Sequence, residues 1–129
     1  DKDSMYNTPP CWCIYMLGLM LDWVEEQGGA AGMQKLRDAR SRMLYETIDQ
    51  SRLFTAPAQP GSRSGMNVAF RTQSEELDAK FVQEATEAGF VNLKGHRKTG
   101  GMRASVYNAM PVEGVEKLCD FIRAFDKNN

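Results

Sequence analysis

Between residues 11 and 21 the chain has no charged position and no polar face: Cys11, Trp12, Ile14, Tyr15, Met16, Leu17, Leu19, Met20 and Leu21 occupy every side of a helical projection. Asn7-Thr8-Pro9-Pro10 precedes this run, and Gly28-Gly29 follows it. Proline is tolerated in a first helical turn, Asn or Thr can cap free amides, and glycine ends helices. The pattern therefore predicts a helix over residues 9–27, capped by Asn7 or Thr8. A helix that is apolar all round is buried all round, and a chain of 129 residues offers little to bury it. It is expected to pack against something outside the chain.

A second helix is predicted over residues 30–50, with Met33, Leu36, Met43 and Leu44 on one stripe. Its other face carries Lys35, Arg37, Asp38, Arg40 and Arg42, which fits either an anion patch or, the expectation taken here, a solvated face. A short strand is expected at 52–55, then a Pro/Gly/Ser loop over 56–65. Residues 66–71 alternate, with Met66, Val68 and Phe70 on one side and Asn67, Ala69 and Arg71 on the other. A helix over 74–88 places Leu77, Phe81, Val82 and Ala85 inward. Strands at 90–93 and 102–107 flank a glycine-rich loop, residues 94–101. A final helix over 111–125 turns Val115, Leu118, Cys119 and Ile122 inward. The order α-α-β-β-α-β-β-α describes an α+β domain, with helices packed on one face of a small sheet.

Composition narrows the function classes. A hydrophobic content of 42% suits a globular domain with a core. The net charge of −1 exerts no general pull toward nucleic acid or membrane, and the basic loop lacks interleaved aromatics. The first apolar run is shorter than the roughly 20 residues that span a bilayer. Cys11, Cys13 and Cys119 match no disulfide framework or zinc spacing, and are expected to be reduced, buried small hydrophobes of a cytoplasmic protein. The chain opens on Asp1-Lys2-Asp3 without an initiator methionine, which hints at a piece of a longer protein.

Charge segregation marks the candidate site. From Ala88 to Val112 there is no acidic residue, yet Lys94, His96, Arg97, Lys98 and Arg103 fall there, in a chain holding 17 acids and 16 bases. Gly95, Gly100 and Gly101 allow a bent backbone whose amides converge on an anion, and arginine adds a planar fork for phosphate or carboxylate. The plainer alternative is a basic hairpin loop in water. On the strand at 102–107, Arg103, Ser105 and Tyr107 share one face, so Arg103 is either a carboxylate clamp or half of a structural salt bridge. His96, the only histidine, has no partner for metal or acid–base chemistry and suits an anion donor. No lysine sits in the apolar setting that would lower its pKa for nucleophilic work. Asn7 and Thr8 before a helix form a generic phosphate site.

Together SMYNTPP (residues 4–10), YMLGLMLDWVEEQGG (15–29), MNVAFR (66–71) and VNLKGHRKTGGMRASVYNAM (91–110) resemble the C-terminal part of the phosphoserine aminotransferases, pyridoxal-phosphate enzymes of fold-type I, class V. The resemblance covers nearly the whole chain. It implies a small C-terminal domain over residues 29–129, preceded by an interdomain segment and helix over 1–28. It implies a homodimer that exchanges an amino group between glutamate and 3-phosphohydroxypyruvate in serine biosynthesis. Asn7 and Thr8 would bind the phosphate of pyridoxal 5′-phosphate across the dimer interface, His96 and Arg97 the substrate phosphate from the neighbouring subunit, and Arg103 the substrate α-carboxylate. The cofactor-bearing lysine of the family would lie upstream of residue 1, so no catalytic residue is expected in this chain, which alone should be inactive. A free-standing anion-binding module without catalysis is the alternative.

Overall fold

A computed structural model describes residue 3 and residues 5–129. The elements among them are α1 (Cys11–Glu26), α2 (Gly29–Asp49), a short 3-10 turn (Pro60–Ser62), β1 (Asn67–Phe70), α3 (Glu75–Glu87), β2 (Met102–Ser105) and α4 (Val112–Asn128). The chain forms two compact units, Asp1–Lys35 and Leu36–Asn129, and α2 runs through the division.

In the first unit α1 has no buried residue: Trp12, Ile14, Tyr15, Leu17 and Leu21 are all exposed. The helix starts from Pro10, without any side-chain cap. The expected cap by Asn7 or Thr8 is therefore corrected, because the two prolines shift the helix start beyond the reach of either side chain. Cys11 and Cys13 are exposed and only Cys119 is buried, so the expectation of three buried thiols holds for one. Gly28 and Gly29 both adopt positive φ, +88° and +67°, which turns the chain sharply from α1 into α2.

In the second unit the sheet is a single antiparallel pair with register Asn67↔Ser105, Val68↔Ala104, Ala69↔Arg103 and Phe70↔Met102. Val68, Phe70, Met102 and Ala104 enter the core, as the alternation of 66–71 predicts. Leu44 and Ile48 of α2, Phe81 and Ala85 of α3, and Val115, Leu118, Cys119, Ile122 and Phe125 of α4 join the same cluster. All three helices thus cover one face of the sheet, an α+β arrangement. Phe81 lies at its centre, edge-on to Phe54 at 5.0 Å and to Phe125 at 5.2 Å. Ser74 caps α3 by accepting from the Leu77 amide.

The strand expected at 52–55 shrinks to a single bridge, Thr55↔Arg71, and the one expected at 90–93 does not form, a single bridge Lys94↔Met102 lying just beyond it. Near residue 52 the Arg52 and Leu53 amides donate to the Asp126 carboxylate, so they are unavailable to a ladder. Near residue 92, Asn92 takes φ +61°, which breaks an extended run. The solvated face expected on α2 needs one correction. Arg40 is buried, and its Nη1 donates to the carbonyls of Asn108 and Met110 at 2.8 and 2.7 Å. This guanidinium ties α2 to the segment entering α4, where two carbonyls would otherwise lack donors.

Candidate anion-binding site

The loop between Leu93 and β2 is pinched at its base and free at its tip. The Gly95 amide donates to the Gly101 carbonyl at 2.8 Å. A Cβ at position 95 would fall 2.2 Å from the Gly100 oxygen, so only glycine fits between the two arms. Gly101 has φ +64°, and a Cβ there would meet the Phe70 oxygen at 2.8 Å. The glycines serve close backbone approach as well as bending.

His96 organises the tip. Its carbonyl accepts from the Thr99 and Gly100 amides, both at 2.9 Å, and its ring Nδ1 accepts from the Lys98 amide at 3.2 Å. Three amides expected to converge on an anion are thereby used inside the turn. With Nδ1 an acceptor, the ring hydrogen belongs on Nε2, which has no partner among the described residues and is the nitrogen free to donate. Arg71 Nη2 donates to the Thr99 carbonyl at 3.1 Å, anchoring the loop to the end of β1.

His96, Arg97 and Lys98 are exposed. Among the described residues Lys94, Arg97, Lys98 and Arg103 form no ion pair. His96 and Arg97 border a cleft of about 630 Å³ that also receives Arg71, Lys94, Glu75 and Asp78. The two acids come from α3, and sequence reasoning missed them because the acid-free stretch is a property of the chain and not of the surface around it. Asp78 is already engaged by the Thr72 amide and hydroxyl, at 2.7 and 2.8 Å.

Arg103 stands apart from that cleft, on the exposed face of β2, with Ala69 directly opposite. The salt bridge weighed for it is not formed among the described residues. Ser105 and Tyr107 share its face, as the alternation predicts, and both hydroxyls donate to Asn67 Oδ1. In the first unit Asn7 and Thr8 are exposed, with no hydrogen bond among the described residues. Ser4, the first residue of the SMYNTPP segment, lies outside the described residues. Among the described residues no group of His, Cys, Asp or Glu could hold a metal ion, and no helix is long and apolar enough to cross a membrane.

The aminotransferase class-V family model matches residues 1–118. Phosphoserine aminotransferase of Bacillus cereus is 50% identical over 128 residues, 99% of this chain and 36% of that protein. The solved phosphoserine aminotransferase from Bacillus circulans subsp. alkalophilus superposes with a TM-score of 0.92 at 45% identity, covering 98% of this chain and 35% of that one. A PLP-bound phosphoserine aminotransferase from Trichomonas vaginalis superposes with a TM-score of 0.85 at 38% identity, covering 95% and 35%. The chain thus spans about a third of the length of the relatives it matches.

Proposed function

The chain belongs to the class-V aminotransferase family, and on that premise we propose that it serves as the C-terminal part of a phosphoserine aminotransferase. The reaction is amino transfer between glutamate and 3-phosphohydroxypyruvate, giving phosphoserine and 2-oxoglutarate. The observation that carries this reading is the set of exposed cations at Arg97 and Arg103, both without an acidic partner among the described residues, on a glycine-built loop and the strand that follows it.

Each residue then has one task. Arg97 and the Nε2–H of His96 hold the substrate phosphate, and Arg103 holds the α-carboxylate through its two-pronged fork. Asn7 and Thr8 hold the cofactor phosphate. They fit that group because both side chains are exposed and neither is consumed as a cap or in another hydrogen bond among the described residues. Pyridoxal phosphate, when bound, supplies the electron sink that amino transfer requires. The residues of this chain bind and orient, and the lysine that carries the cofactor belongs to the rest of the enzyme. Residues 1–28 act as the interdomain segment and 29–129 as the small domain of a cytoplasmic homodimer. The exposed apolar side chains of α1 support the need for a covering surface.

The test is direct. The coding sequence upstream of Asp1 should encode a large domain with a cofactor-bearing lysine, and the whole protein should transfer an amino group from glutamate to 3-phosphohydroxypyruvate. A whole protein that binds phosphate but turns over neither substrate would establish the non-catalytic module instead.

A further inference from the structure

The outer face of the sheet carries more than Arg103. Asn67 pairs with Ser105, and Ala69 pairs with Arg103, so Asn67 and Arg103 are diagonal neighbours on the same exposed face. Such positions lie about 7–8 Å apart, within reach of one ligand for long side chains. The residue directly opposite Arg103 is Ala69, whose single methyl leaves the space above the sheet open.

The Asn67 amide lies with its oxygen toward two hydroxyls. Oδ1 accepts from Ser105 Oγ at 3.2 Å and from Tyr107 Oη at 3.3 Å, which engages both lone pairs. Its backbone amide is held by Ser64 Oγ at 3.1 Å. Nδ2 therefore presents two hydrogens, and no acceptor for them exists among the described residues. An aspartate would tie the same two hydroxyls more strongly, because charge-assisted hydrogen bonds are the stronger kind. What asparagine adds is the pair of donors and the absence of charge. Asn67, Ala69, Arg71, Arg103, Ser105 and Tyr107 share this face, and none of them is acidic.

We propose that Asn67 is a second carboxylate ligand of the site, its Nδ2 donating to the α-carboxylate that Arg103 holds. The inference rests on the reading of Arg103 given above. The Arg103 fork then takes both carboxylate oxygens, and the amide donates to a remaining lone pair of one of them, which fixes the lateral position of the group as the fork alone does not.

The experiment uses the whole enzyme with its cofactor. Phosphoserine is compared with phosphoethanolamine, which keeps the amine and phosphate but lacks the α-carboxylate. Asn67→Asp retains the acceptor for both hydroxyls, removes the donors and adds a repelling charge. It should raise the KM or dissociation constant for phosphoserine about tenfold or more, the scale of one charge-assisted hydrogen bond. Phosphoethanolamine should bind the variant no worse than the wild type. Asn67→Leu, of similar volume, should show the same selectivity and replaces the aspartate variant if that fails to fold. Arg103→Ala separates the two claims. Loss of phosphoserine binding in Arg103→Ala but not in the Asn67 variants overturns this inference alone. No loss in either overturns the Arg103 reading and this inference with it. Equal weakening of both ligands by the Asn67 variants makes Asn67 a purely structural residue and also overturns it.

Discussion

Replacing Gly95 with alanine tests whether loop geometry positions His96 and Arg97. The added methyl would lie 2.2 Å from the Gly100 oxygen and 2.7 Å from the Gly101 oxygen. Both contacts are backbone, so no side-chain rotation relieves them. Restoring an ordinary contact requires the two arms to part by about 1 Å, and a displacement of that size at a substrate-positioning group costs up to about a hundredfold in rate. The Gly95–Gly101 hydrogen bond is lost as well, at about 1 kcal/mol. The core cluster does not include the loop tip, so the fold should survive with a small drop in thermal midpoint. In steady-state assays of the whole enzyme, kcat/KM for phosphoserine should fall about tenfold to a hundredfold. Gly61→Ala is the control, because nothing lies within 4 Å of the position its methyl would take and its backbone is not strained; it should be silent. A Gly95→Ala enzyme within about twofold of wild type would refute the claim that this pinch positions the anion ligands.

Changing Asn7 and Thr8 together to alanine should weaken cofactor retention by about 1–3 kcal/mol, the loss of hydrogen bonds to a charged group, measured by dialysis or titration of the whole enzyme. Unchanged affinity would remove both residues from the cofactor site. Asp126 should shape acid stability. Burial pushes its carboxyl up, but hydrogen bonds from Ser51, Leu53 and Arg52, together with the nearby Arg52 charge, outweigh burial and hold it below the usual range. A depressed folded-state value means the stabilisation is complete above the unfolded carboxyl range, near about pH 4, and is lost as pH falls through the folded value. Denaturant unfolding should therefore show a stability decline below about pH 4 that is smaller in Asp126→Asn. An identical acid profile in the two proteins would rule this out.

Strong periodicity was legible where packing is one-sided. The alternation of residues 66–71 predicts β1 and its core face, and the stripe of Val115, Leu118, Cys119 and Ile122 predicts the buried side of α4. What failed depended on distant partners. Residues 52–55 look like a strand until Asp126, more than 70 positions away, takes their amides. Arg40 looks solvated because nothing local announces the carbonyls of Asn108 and Met110. The basic loop was visible from its missing acids and its glycines. The unpartnered Nε2 of His96 and the hydroxyl contacts of Asn67 were not, since they arise from hydrogen-bonding neighbours that only the folded backbone supplies.

Arg97→Ala in the whole enzyme, with kcat/KM compared for phosphoserine and for glutamate, shows whether the loop at residues 94–101 reads the substrate phosphate. Arg97 is exposed and makes no ion pair among the described residues, so its removal leaves no buried charge behind. A phosphate carries a charge of about −1.5 to −2 near pH 7, against −1 for the glutamate side-chain carboxylate. The loss should therefore be larger for phosphoserine, by about tenfold, the scale of one charge-assisted hydrogen bond. Equal losses for the two substrates, or none for either, would mean that Arg97 does not read the phosphate.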